Sequence, residues 1–187
     1  MQALLQSENL NEEQAVLIKS AYASLQRLSR LNNALLLLTK IENNQFVNKE
    51  NISIGEMIEK QLKDMEDFII VKKLEIEMII ENDIIVAASK PLLDILLSNL
   101  IENAIKHTVY KGTIKIALHG KTLGISNAGH PLAVKPVELF ERFKKSDPAS
   151  PSLGLGLSIV KKICDTNNWQ VNYLSKNELH TFLVNFG

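Results

Sequence analysis

The sequence predicts an α+β domain in which helices layer on a mixed, mostly antiparallel sheet, preceded by one long amphipathic helix. From Asn11 to about Asn43 there is no Gly or Pro, and apolar residues recur in steps of three or four at Leu17, Ala21, Leu25, Leu28, Leu31, Leu35 and Leu38. Beyond residue 50 the rhythm changes to short stretches of period-two alternation, separated by helical runs. A sheet of five or more strands with three helices against it satisfies both patterns.

The long helix carries a coiled-coil-like seam, and Leu35 to Leu38 are consecutive leucines, so more than one face is apolar there. Such a helix needs a partner, from its own chain or another. Residues 2–8 read as the end of that partner, joined by a turn near SENLN. The chain is already in a helical pattern after Met1, with no capping residue ahead of it, which fits a piece of a longer protein. The polar stretch ENNQFVNKEN (42–51) separates a first part, 1–46, from a second, 47–187.

In the second part, ISI (52–54) is a short strand and Gly55 to Lys72 is helical, with Met57, Ile58, Leu62, Met65, Phe68 and Ile69 on one side. LEIEMII (74–80) and DIIVAAS (83–89) alternate as strands, with the polar END around the turn. Lys90 to His107 is helical, with Pro91 in the tolerated first turn. GTIKIALHG and KTLGISNAG form a hairpin through His119, Gly120 and Lys121. A loop with Pro131, Pro136, Pro148 and Pro151 encloses a short helix around VELFERFKK. A helix begins near Gly156 and runs to about Asp165, and WQVNYLS and ELHTFLVNF close the fold as strands turning at Asn177.

The 187 residues are 45% hydrophobic and 22% charged, enough to build a core. Basic and acidic residues balance at 21 each, which gives no support for nucleic-acid binding through bulk charge. No apolar run reaches the length of roughly 18 residues needed to span a bilayer. The lone Cys164 fits a reducing compartment and reads as a core residue on a helix face.

Three segments hold residues whose chemistry exceeds the needs of packing. Asn99, Asn103, Lys106 and His107 lie on or near one face of the helix over 90–107. SNAG (126–129) is a polar turn at a strand end. In SLGLGLSIVKKI (152–163), Gly154 and Gly156 precede an amphipathic helix, where backbone N–H groups can approach a phosphate unobstructed by a Cβ. Taken singly, each has a bland reading: a solvated helix face or a tight turn.

In combination and order they resemble the sensor histidine kinases. LLSNLIENAIKHT resembles the N box of that family, ISNAG the G1 box, LFERFKK the F box and SLGLGLSIVKKI the G2 box. The resemblance implies a two-layer α/β sandwich of the Bergerat type for residues 47–187, the catalytic ATP-binding domain. It makes residues 1–46 the truncated dimerisation and histidine-phosphotransfer hairpin, mainly its second helix. ATP and Mg²⁺ are the implied cofactors. A response regulator receiver domain and a second copy of the parent protein are the implied partners, with a cytoplasmic location and a parent anchored in the inner membrane through N-terminal segments missing here.

By the same resemblance Asn103 is the Mg²⁺ ligand, a neutral amide oxygen suited to a cation already surrounded by phosphate charge. Asn99 supports the phosphate–metal cluster, Lys106 reaches a phosphate oxygen and His107 lies at the nucleotide rim. Asn127 and Gly129 hold the adenine, although the family usually has an aspartate where Asn127 stands. An amide oxygen still accepts a hydrogen bond there, but without charge, so weaker affinity is expected. Ser152, Leu153, Gly154, Leu155, Gly156 and Leu157 form the phosphate loop. Phe140 and Phe143 pack a lid spanning about Glu141 to Leu153 that carries Asp147, Pro148, Ser150 and Pro151. Arg142, Lys144 and Lys145 are candidates for stabilising transferred-phosphate charge, with Arg142 and Lys106 the catalytic choices. Glu102 reads as a solvated charge.

Related clamp ATPases of the gyrase type place a water-activating glutamate where this chain has Asn99, so phosphoryl transfer fits better than hydrolysis. The family's acceptor motif, similar to HExRTPL, is absent: the histidines are His107, His119, His130 and His180, none on the long helix. The expected activity is therefore a protein-histidine kinase that acts on a separately supplied histidine and does not autophosphorylate alone. Two other readings stay open, a degenerate non-catalytic scaffold and a serine kinase acting on an anti-sigma antagonist; the long helix speaks against the second.

Overall fold

The computed structural model describes residues 11–129, 136–144, 152–176 and 178–187. The expected partner-helix end at 2–8, His130, Pro131, Lys145, the lid residues Asp147, Pro148, Ser150 and Pro151, and the turn residue Asn177 lie outside the described residues. The chain forms two compact units, Met1–Thr39 and Lys40–Gly187.

Helix α1 runs Glu12–Glu42. Its start is a reciprocal cap, in which the Asn11 side chain accepts the Gln14 N–H at 2.8 Å and the Gln14 side chain accepts the Asn11 N–H at 3.2 Å. Of the predicted seam, Leu17, Leu25, Leu28 and Leu35 remain exposed, Leu31 is half-buried and Leu38 is buried.

In the second unit, β1 (Glu50–Ser53) pairs antiparallel with β3 (Ile85–Ala88) as a small separate sheet. The main sheet has the order β2 (Glu75–Ile80), β4 (Thr113–His119), β5 (Thr122–Ala128), β7 (Leu179–Asn185), β6 (Gln170–Lys176). β2 runs parallel to β4 and every other pair is antiparallel, giving the mixed, mostly antiparallel sheet expected. The stretches 74–80 and 83–89 are both strands, but they belong to different sheets and do not pair across END. Ile114, Ile116 and Leu118 of β4, with Leu123 and Ile125 of β5, bury one sheet face.

The helices cover that face. α4 (Lys90–His107) buries Leu93, Leu96, Leu97, Leu100 and Ile101, and α5 (Gly156–Thr166) buries Val160, Ile163 and Cys164. Burial pushes the Cys164 thiol up to about 12, which leaves it an inert core residue. The helix expected over Gly55 to Lys72 is divided into α2 (Ile54–Asp64) and α3 (Glu66–Lys72). The break at Met65 separates two environments, because α2 buries Ile54, Met57, Ile58 and Gln61 whereas α3 buries nothing.

α3 ends in a left-handed residue, Lys73 (φ 52°), whose N–H bonds to Ile70 O while that of Leu74 reaches Ile69 O. This end places the ammonium of Lys72 against the C-terminus of α4. Lys72 Nζ donates to Ile105 O at 2.8 Å, Lys106 O at 2.9 Å and Thr108 O at 2.9 Å. A cation here satisfies carbonyls that a helix end leaves unpaired and meets the negative end of its dipole. Lys72→Met is expected to lower unfolding free energy by about 2 kcal/mol, measured by urea denaturation, since bonds to a charged donor are lost and the carbonyls are left without a partner.

Candidate functional site

The site is built around α4, whose leucine face is held by the sheet. That packing leaves Asn99 and Asn103 half-buried on a different face. Asn99 donates from Nδ2 to Ile95 O at 2.7 Å, which fixes the amide and leaves Oδ1 directed at the start of α5. A methyl group at Gly156 would fall 2.6 Å from that oxygen, so the first residue of α5 lies in direct contact with Asn99. The N-cap, Leu155, provides no side-chain cap, and its carbonyl accepts the Ser158 hydroxyl at 2.8 Å. The first-turn N–H groups of α5 thus receive no side-chain cap, and the helix begins beside Asn99.

Gly154 has φ +69°, and a methyl on it would meet Lys144 O at 2.5 Å. Its carbonyl accepts the N–H of Phe143 at 2.8 Å, which joins the F-box and G2-box segments. The G1 segment, expected as a polar turn, is instead the end of β5: Ser126, Asn127 and Ala128 pair with β7, and Gly129 follows at the other end of α4. A methyl at Gly129 would lie 2.9 Å from His107 O, and Gly129 N–H bonds to Glu178 O at 3.0 Å. Asn127, 1% exposed, is buried near the end of β5. Asn99 and His107 are roughly 12 Å apart along the α4 axis, so the two glycine contacts lie about two turns apart on the same helix.

The structure places Asn99, Asn103, Lys106 and His107 on α4, brings Gly156 of the G2 segment against Asn99, and brings Gly129 against His107 and Asn127. Ser152, Leu153, Gly154, Leu155 and Leu157 lie in the G2 segment around Gly156, where Gly154 is joined to Phe143. The F-box aromatics behave differently from expectation. The short helix there is a 3₁₀ turn, Pro136–Phe140, and it stops before Phe143. Phe140 packs edge-on against Phe182 at 6.3 Å, as core packing requires. Phe143 adopts a left-handed backbone (φ 66°) and is 57% exposed, because the chain turns there to reach Gly154. It does not pack on the core.

Among the described residues, the basic groups of this segment, Arg142 and Lys144, are paired. Arg142 donates to Glu42 at 3.0 Å, and Lys162 approaches the same carboxylate at 3.6 Å. Lys144 bonds to Glu138 at 3.2 Å and lies 3.7 Å from Glu141, which hold its pKa above the ordinary lysine value, Glu138 contributing most. Glu42 was not foreseeable as a partner, since it lies far from Arg142 in sequence and in a stretch read only as a helix end. Glu102 is exposed, as its sequence reading expects, and desolvation raises its carboxyl above the usual range. Among the described residues no group of three or more His, Cys, Asp or Glu side chains is arranged to hold a metal ion.

A family profile for histidine kinase-, DNA gyrase B-, and HSP90-like ATPases matches residues 88–184, more than half of the chain. The chain belongs to that family. Within it, the similarity is to sensor histidine kinases, and the domain is of their catalytic, ATP-binding type. The heme sensor protein HssS of Staphylococcus aureus (strain Newman) is 34% identical over 170 residues, covering 88% of this chain. The chain spans only 37% of the length of that relative. The Acinetobacter baumannii histidine kinase AdeS superposes with a TM-score of 0.73 at 26% identity, covering 98% of this chain and 88% of that one. Full-length ShkA in complex with AMPPNP shares the fold at a TM-score of 0.71 and 20% identity, covering 97% of this chain and 40% of that one. No helix among the described residues is long and apolar enough to cross a membrane.

The two G2 glycines are expected to respond differently to alanine. Gly156→Ala pushes only the end of the Asn99 side chain, so urea stability stays within about 0.5 kcal/mol while affinity for an ATP analogue falls at least about tenfold. Gly154→Ala forces a left-handed alanine against backbone and costs about 1–3 kcal/mol of stability. The raised pKa of Glu102 sets a second expectation. Its ionised form is disfavoured in the folded state, so the penalty is fully present above its folded pKa and vanishes below the unfolded one. Glu102→Gln should raise the urea midpoint at neutral pH and leave it unchanged below the ordinary carboxylate range.

Proposed function

We propose that residues 47–187 form a catalytic domain that binds Mg-ATP in a crevice along the asparagine face of α4 and transfers the γ-phosphoryl group to a histidine on another segment. From there the phosphoryl group passes to an aspartate on a response regulator receiver domain. The observation that carries the reading is the contact of Gly156 with Asn99, which joins an uncapped helix N-terminus to the asparagine face of α4. Positive N–H dipoles beside neutral amide oxygens suit a triphosphate tail that brings its own negative charge and its own cation.

In this reading Asn103 supplies the protein oxygen to Mg²⁺, which when bound offsets charge on the phosphate oxygens. Asn99 orients the same cluster, Lys106 adds a point charge, and His107 borders the nucleoside. Backbone N–H groups of residues 152–157 cradle the phosphates, while Asn127 and Gly129 take the base under Phe140. Arg142 and Lys144 act by exchanging their present carboxylate partners for phosphate. Asn99 offers no base to activate water, so the bound γ-phosphoryl group awaits a protein nucleophile. Residues 1–46 serve as part of a dimerisation hairpin, whose outward leucines meet helices of the same hairpin and of a second copy. Attachment to a membrane belongs to segments of the parent outside this chain.

A non-catalytic scaffold is the second reading, favoured only by the neutral Asn127. Calorimetric titration with a non-hydrolysable ATP analogue and Mg²⁺ separates the two. Measurable binding that is lost in Asn103→Ala is expected, and equal binding by both proteins refutes the role given to Asn103.

A further inference from the structure

The base end of the crevice contains two buried polar atoms with no partner. Asn127 is 1% exposed and His180 5%, and Asn127 Nδ2 and His180 Nε2 each lack a hydrogen bond. The two residues are cross-strand neighbours in the β5–β7 register. They converge at the G1 segment, where a methyl on Gly129 would lie 3.1 Å from His180 Cδ2 and 3.4 Å from Asn127 Nδ2. His180 is held from behind: its Nδ1 shares a hydrogen bond with the Tyr173 hydroxyl, and the rings stack at 6.0 Å with 22° between their planes. Buried polar groups are ordinarily hydrogen-bonded, so two unpaired at one spot indicate a place shaped for a polar edge.

Both groups are ambivalent. A carboxylate only accepts, whereas an amide donates at one end, accepts at the other, and reverses by turning over. Neutral imidazole likewise exchanges donor and acceptor between its nitrogens by changing tautomer. A 6-aminopurine presents a donor at its exocyclic nitrogen and an acceptor at N1. A 6-oxopurine presents the reverse, an acceptor at O6 and a donor at N1. One orientation of the Asn127 amide matches the first edge and the turned-over orientation matches the second.

We propose that Asn127, backed by His180, makes this site tolerant of the purine 6-substituent, so that it accepts 6-oxopurine triphosphates as well as ATP. The inference rests on the nucleotide site proposed above. ITP is the probe, because it differs from ATP only in the 6-position and the N1 hydrogen that accompanies it. Titration of the chain with Mg-ATP and with Mg-ITP is expected to give dissociation constants within about tenfold of each other. In Asn127→Asp, where the carboxylate faces O6 with no donor, the preference for ATP should widen by at least a further factor of about ten. ITP binding more than about tenfold weaker than ATP in the unaltered chain overturns the inference, as does a preference that Asn127→Asp leaves unchanged. Failure of both nucleotides to bind overturns the nucleotide site itself, and the inference with it.

Discussion

Everything in the second unit depends on α4 serving two faces at once. Its leucines must seat on β4 and β5 to close the core, and its asparagines must stay clear of that seat to remain chemically available. A helix repeats about every 3.6 residues, so the packing of Leu93, Leu97 and Leu100 determines where Asn99 and Asn103 point. A rotation of this helix large enough to move the amides would expose leucine. The hydrophobic core therefore acts as the bearing for the polar site.

The flanking segments meet α4 through small, close contacts rather than through broad packing. Gly156 abuts Asn99, Gly129 abuts the last carbonyls, and Lys72 gathers three carbonyls at the helix end. Each uses either the absence of a side chain or a single charged donor. Contacts of this kind add little buried area but tolerate little displacement. They define the crevice geometrically while the leucine face supplies most of the cohesion.

Much of this architecture was legible in the residues. Period-three-and-four spacing located α1, α4 and α5, and period-two alternation located the strands, because one-sided burial imposes those rhythms on sequence. The order of the Asn, Gly and Phe motifs pointed to the family before any coordinates did. What local rhythm does not encode is pairing. Nothing in LEIEMII marks it for parallel pairing with β4, and nothing in Gly55 to Lys72 marks Met65 as the point where burial ends. The exposed Phe143 escaped notice because its position follows from a bond to Gly154, across the lid. Likewise Lys72, Glu42 and His180 matter only through partners distant in sequence, where single-chain patterning has no signal.

The contact between Gly156 and Asn99 also limits how such a chain can diverge. A side chain added at 156 displaces the amide end at 99, and a longer group at 99 leaves less room at 156. The two positions lie on separate helices, yet each sets the room available to the other, so a change that the fold tolerates at one is felt at the other.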